Sequence, residues 1–337
     1  MPLALGLLKG IDMMINKKKR ILITAVVSAA LAAAVLLAAL CVGGNVIMYN
    51  VAVSIYDGSF AERYDTTEED AFDIAEFPGM TRERHTFTSY QGQTLVGYLY
   101  EPADPAVEEK AVIVFAHGLG GGGQRGYMDI FDYMTSRGYY VFAYDATAND
   151  ESEGEVVGGL PQGFIDLDYA IDYAYTVEEI ADLPFVLMGY SWGGLSVVNV
   201  LNDHPEVEAV AALAGWNKSM NLIDYRGQQM VGGAAKVLLP YAMVYEYVLY
   251  GDYSFHTAMK GFEASDCDVM IVHGELDDTI PIGYGDDTYY EKYGDDDRFT
   301  FKKYKDRDHG VLTDAEGQLD TALLGEIAAF FDQSLAD

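Results

Sequence analysis

Short, continuously apolar runs separated by helix-length stretches constrain this 337-residue chain more than any other feature. The runs are Ala111–Ala116, Tyr139–Tyr144, Phe185–Gly189, Val207–Leu213 and Val269–Val272, and helix-length stretches occupy Tyr127–Arg137, Gly163–Glu179 and Trp192–Asn202. A strand with one wet face alternates apolar and polar residues, whereas a strand covered on both faces reads as one apolar block. Blocks alternating with helices predict an α/β fold, a mainly parallel, doubly wound sheet with helices on both faces. Ahead of them, Thr86–Tyr90 and Thr94–Tyr100 flank Gln91-Gly92-Gln93 and predict a hairpin. One stretch breaks the alternation. From Trp216 to about Ala264 no turn-bounded strand is evident and Met, Tyr and Leu are dense, so an insertion with its own helices is expected.

The amino terminus follows a different rule. From Ile21 to Gly44 there is no charged residue, and Lys17-Lys18-Lys19-Arg20 stands directly before it. About 20 apolar residues cross a bilayer as a helix. A signal peptide's apolar stretch runs to only about 7–15 residues, and the small-residue site Ala32-Ala33-Ala34 falls in the middle of this run. Lipoprotein processing at Cys41 would want a small residue where Leu40 stands. The expected organisation is a cytoplasmic basic tail (1–20), one transmembrane helix (21–44), a juxtamembrane lead-in (45–82) and a folded domain (83–337) carrying the insertion at about 216–264. Basic residues stay cytoplasmic, which places that domain outside the cell. The lead-in's acidic patch (Glu68, Glu69, Asp70, Asp73) fits a short helix or a solvated linker equally.

Charge narrows the function. The formal net charge is −32, from 53 acidic against 21 basic residues. Nucleic-acid binding needs basic groups that displace phosphate counterions, so a nucleic-acid partner is excluded. No Cys/His pattern of a zinc site is present, and the spacing of Asp286-Asp287 and Asp295-Asp296-Asp297 matches no calcium loop.

The sharpest motif is Gly189-Tyr190-Ser191-Trp192-Gly193, followed by Gly194, directly after one apolar block and directly before a helix. That is the context of a nucleophile elbow, in which a tight strand-to-helix turn thrusts the serine Oγ clear of the sheet. The helix also presents its positive end to developing negative charge.

In this motif, and in the order of the acidic and histidine residues beyond it, the sequence resembles the α/β-hydrolase superfamily over roughly residues 83 to 335. The resemblance implies a serine esterase- or lipase-like enzyme whose chain order is serine, acid, histidine. It places an oxyanion hole after the third strand, where the chain reads His117-Gly118-Leu119-Gly120-Gly121-Gly122-Gly123, with the backbone N–H groups of Leu119 and Trp192 as donors. No Lys-Ser or Lys-Thr follows those glycines, which excludes a phosphate-binding P-loop. The triad acid falls three residues after the glycine of His273-Gly274-Glu275-Leu276-Asp277-Asp278, at Asp277, with Asp278 and Glu275 as neighbouring carboxylates. The base falls on the loop before the closing helix, at His309 of Asp308-His309-Gly310, with that helix expected from about Asp314. His117 and His273 read as structural. The insertion resembles the helical cap of many such enzymes, its inner face lining an acyl pocket.

The expected activity is hydrolysis of a carboxylic ester through Ser191, His309 and Asp277 by way of an acyl-enzyme, with no cofactor and no metal. A small-molecule or lipid-like acyl compound is the expected substrate. An amide or peptide bond is the second reading. A catalytically inactive binding protein on the same fold is the third. Oligomeric state is not legible.

Overall fold

A computed structural model describes residues 2–336; the side chains of residues 2–12, 15, 16 and 18, among them Lys9 and Lys18 of the basic set, lie outside the described residues. The chain divides into two compact units, Met1–Ser54 and Ile55–Asp337. Helix α1 (Pro2–Ser59) runs on past Gly44, where the end of the span was expected, and no charged residue follows Arg20 before Asp57. Its stretch Lys19–Ser59 is long and apolar enough to cross a membrane, a test that a signal sequence also passes. No proline interrupts it between Pro2 and Ser59, and the glycines of that stretch, Gly43, Gly44 and Gly58, are tolerated at modest cost.

The second unit is built on one eight-stranded sheet, in the order β1-β2-β4-β3-β5-β6-β7-β8. The strands are β1 (Met80–Thr88), β2 (Thr94–Pro102), β3 (Ala111–Ala116), β4 (Tyr139–Asp145), β5 (Phe185–Tyr190), β6 (Ala209–Leu213), β7 (Asp268–Gly274) and β8 (Phe299–Tyr304). The hairpin β1–β2 is antiparallel, and β2 joins β4 antiparallel; β4, β3, β5, β6, β7 and β8 are parallel throughout. The hairpin's first strand begins at Met80, six residues before Thr86, because Met80 to His85 continue the pairing with β2.

The apolar blocks are explained by layers. Along β3, Val112, Val114 and Ala116 enter one core while Ala111, Ile113 and Phe115 enter the other. The first core is closed by α3 (Pro161–Ala174) and α4 (Trp192–Asn199), the second by α2 (Met128–Thr135) and α9 (Thr321–Ser334). With both faces dry, no polar side chain is tolerated in β3, β4 or β6 except Asp145 at the end of β4 and the tyrosines of β4.

Between β6 and β7 the insertion forms α5 (Ser219–Val231), α6 (Ala235–Tyr250) and α7 (Ala258–Ala264); α8 (Asp286–Tyr293) lies between β7 and β8. The closing helix starts at Thr321, seven residues later than Asp314. Asp314 instead caps a tight turn, accepting from Glu316 N–H and Gln318 N–H, and Asp320 caps α9 by accepting from Leu323 N–H. The segment ahead of β1 also differs from a solvated linker: Tyr56 and Phe60 are core residues, and Asp73 with Glu76 forms a capping box on a single 3-10 turn.

Candidate active site

The carboxyl ends of parallel strands converge on one edge of the sheet, where open α/β folds collect their chemistry. Three of them lead here into the residues that the sequence singled out. At the end of β5, Ser191 has φ 56° and ψ −113°, a left-handed conformation that a non-glycine residue adopts only when its surroundings force it. What forces it is the close passage of α4. A Cβ on Gly193 would lie 1.8 Å from the carbonyl oxygen of Ala116, so only glycine lets the helix start against β3.

After β7, Asp277 is fully buried and gathers four donors. His309 Nδ1 lies 2.7 Å from its Oδ2, and His273 Nε2 lies 3.2 Å from the same oxygen. The N–H groups of Thr279 and Ile280 donate to Oδ1 at 2.9 and 2.8 Å. Burial alone would raise this carboxyl's pKa, but the donors from His273, His309 and Ile280 outweigh it and hold Asp277 well below the usual carboxylate range. It is therefore a fixed negative charge. Asp278 and Glu275, the neighbours that sequence could not separate from it, are exposed.

After β8, the loop carrying His309 is drawn against β7. A Cβ on Gly274 would lie 2.2 Å from Asp308 O, and the N–H of Leu276 donates to Arg307 O at 3.0 Å. Tyr190 OH donates to the backbone oxygen of His309 at 3.0 Å. With Nδ1–H directed at Asp277, the other ring nitrogen is left with a lone pair, and His309 Nε2 sits 2.8 Å from Ser191 Oγ. The three residues thus form one continuous chain of hydrogen bonds, and the imidazole keeps a fifth of its side chain exposed.

The glycine-rich loop after β3 is held from two sides. Ala146 N–H donates to His117 Nε2 at 2.9 Å, so the opposite nitrogen carries the proton and donates to Gly118 O at 2.8 Å. The Gly118 carbonyl and the Leu119 N–H share one peptide plane and point opposite ways. By fixing the first, His117 turns the second. Burial lowers the His117 pKa, keeping the ring neutral and this tautomer populated. Trp192 opens α4, so its N–H is among the first-turn donors without an intrahelical acceptor. From the other side, Asp150 accepts from Gly123 N–H, from Thr66 N–H and from Thr66 Oγ at 3.1, 2.5 and 2.6 Å. A residue of the lead-in therefore braces the loop.

Sequence reasoning named Ser191, Asp277, His309, Leu119 and Trp192, read His273 as structural, and missed two supporting residues. His273 contacts Asp277 directly, while Tyr190, which holds the His309 loop, and Asp150, which ties Thr66 to the glycines, were not singled out. Only Tyr190 carried a local signal, as a residue inside the elbow. Among the described residues no cluster of His, Cys, Asp and Glu suited to a metal ion occurs.

Known proteins share this architecture. The family described as serine aminopeptidase, S33 matches residues 107–247. Among solved structures, an esterase of Pyrococcus furiosus superposes with a TM-score of 0.62 at 13% identity, over 81% of this chain and 99% of its own. The chain has the α/β-hydrolase fold. Other α/β-hydrolase structures resemble it at similar distance. An acylaminoacyl peptidase of Pyrococcus horikoshii gives 0.59 at 18% identity, over 77% of this chain and 43% of the peptidase. Acetyl xylan esterase 1 of Thermoanaerobacterium gives 0.53 at 14%, over 83% of this chain and 97% of the esterase. No curated protein matches by sequence. At these identities the likeness is one of fold.

Proposed function

We propose that this chain is a serine hydrolase that cleaves carboxylic esters through Ser191, His309 and Asp277. The hydrogen-bond chain from Ser191 Oγ through His309 to Asp277 carries this reading. His309 Nε2 accepts the Ser191 proton as Oγ attacks the substrate carbonyl carbon, and the imidazolium that forms is stabilised by the buried Asp277 charge. The tetrahedral oxygen is held by the N–H groups of Leu119 and Trp192, each such donor being worth about 3 kcal/mol of barrier. His309 then protonates the departing alcohol, and water activated by the same nitrogen releases the acid. The esterases among the structural neighbours support an ester bond. The S33 family match and the acylaminoacyl peptidase favour an amide as the second reading.

The amino-terminal helix serves as an uncleaved anchor with the hydrolase unit outside the cell, supported by Lys17 to Arg20 before an uncharged span. Labelling by a fluorophosphonate, lost in Ser191→Ala, tests the nucleophile, and parallel p-nitrophenyl ester and p-nitroanilide series separate ester from amide. The mass of the mature chain tests the anchor, since cleavage would remove the basic cluster. Protease added to intact cells should reach the hydrolase unit; protection until lysis would reverse the orientation.

A further inference from the structure

Helix α6 is apolar on its outward face as well as on the face that packs on the core, which is unusual for a helix in water. Its inward face carries Ala235, Ala242, Glu246 and Tyr250, all buried. Glu246, its single carboxylate, accepts hydrogen bonds there from Tyr56 OH at 2.8 Å and from Ser219 Oγ. Its outward face holds Val237, Met243, Val244, Tyr247 and Val248, of which Val237, Val244 and Val248 are 59%, 54% and 65% exposed. Phe255, also exposed, packs its ring 5.3 Å from that of Tyr247 and extends the patch. A surface helix ordinarily presents polar residues outward, and a contiguous apolar face of this kind marks a contact site.

The geometry points to a lipid bilayer surface as the occupant, with α6 lying along it. Two further observations select lipid. The chain as a whole is strongly acidic, yet residues 216–264 carry four basic and four acidic residues, and one of the acids, Glu246, is buried. The insertion is thus close to neutral, and a membrane surface repels it less than it repels the acidic remainder of the unit taken as a whole. Second, α6 is fastened to residues near the end of the apolar helix: Tyr245 OH donates to Asp57 Oδ1 at 2.7 Å, and the Tyr56 and Tyr245 rings stand 5.6 Å apart, edge to face. Tyr56 is twelve residues beyond Gly44, a tether of at most ~43 Å in any conformation. The inference rests on the anchor reading above, because that tether is what keeps a bilayer within reach. Its functional consequence is that an acyl substrate dissolved in the membrane meets the insertion before it meets Ser191.

The full chain, reconstituted in phosphatidylcholine vesicles, tests this with tryptophan placed at Val237→Trp or Val244→Trp and, as control, at exposed Tyr290→Trp on α8. The native Trp192 and Trp216 are buried and give a constant background. An interfacial helix sits roughly 5–10 Å into the headgroup boundary, so brominated acyl chains should quench the α6 probes about twofold and leave Tyr290→Trp unchanged. α6 probes quenched by aqueous acrylamide but not by bromolipid overturn the proposal in favour of a bare surface. Shielding from both quenchers overturns it in favour of a second copy of the chain. The anchor is read separately by vesicle flotation: a floating chain with unquenched α6 leaves the anchor intact and sinks the docking, while a chain that stays in the aqueous fraction sinks both.

Discussion

The sheet edge that carries Ser191 and the insertion that carries α6 obey opposite rules. At the edge, glycines are present because backbone passes through the space a Cβ would fill, and the side chains of Ser191, His309 and Asp277 each have a fixed partner. In the insertion, Gly232 and Gly233 meet nothing within 4 Å, and apolar side chains face outward while a carboxylate is buried. Chemistry requires groups held to a fraction of an ångström, which over-determined packing supplies. A surface that meets a fluid partner requires only composition and direction. Substitutions at the edge should therefore be severe and specific, and those in the insertion mild.

The largest effect should be at the nucleophile. Ser191→Ala removes one oxygen from a site whose shape is set by the backbone, so esterase turnover should fall on the order of 10⁴-fold or more with unchanged thermal unfolding. Retained turnover above a few per cent would move the nucleophile elsewhere. Asp277→Asn should cost roughly 10³–10⁴-fold, because an amide can present the wrong group to His309 Nδ1. Asp278→Asn, at an exposed side chain, should stay within about twofold. Equal losses in the two variants would show that bulk negative charge, not the specific hydrogen bond, is what matters.

The same contrast holds for stability. Gly193→Ala places a methyl group 1.8 Å from Ala116 O and should destabilise by roughly 3 kcal/mol or more, read by denaturant unfolding. Gly233→Ala, in open space, should lie within about 1 kcal/mol of the parent, on the stabilising side. A soft Gly193→Ala would mean that α4 can slide and that the elbow is less rigid than its contacts imply.

How much of this could be read from the sequence divides along the same line. The strands were legible because two dry faces leave no choice but apolar blocks, and Ser191 because a tight elbow admits few residues. Asp277 could be located only to within a neighbour, since adjacent carboxylates differ in burial and burial is a property of the fold. The lead-in was opaque for a related reason: Thr66 and Tyr56 act through Asp150 and Glu246, partners 84 and 190 residues away. The aromatic and methionine density of the insertion was legible, but its direction was not. Composition reads the same whether a face lines a pocket or looks outward, and on α6 Val237, Met243, Val244, Tyr247 and Val248 look outward.

The smallest effect concerns that helix. Burial raises the pKa of Glu246 to about 7, an increase that the hydrogen bonds from Ser219 and Tyr56 only partly offset. The folded form therefore holds a proton that the unfolded chain releases near the ordinary glutamate value of 4.5. Between those two pH values the folded state binds more protons than the unfolded one, so stability falls as pH rises and levels off above about 7. A raise of this size corresponds to about 3 kcal/mol across the interval. Asp145, buried at the end of β4 and also raised to about 7, adds a slope of the same sign, so the parent should melt lower at pH 8 than at pH 5.5. Glu246→Gln keeps an acceptor for Tyr56 and Ser219 without the charge. It should flatten part of that slope by raising the melting temperature more at pH 8 than at pH 5.5. An unaltered slope would assign the pH dependence to other raised groups, Asp145 and His204 among them, and would mean that Glu246 is solvated in spite of its position on the inner face of α6.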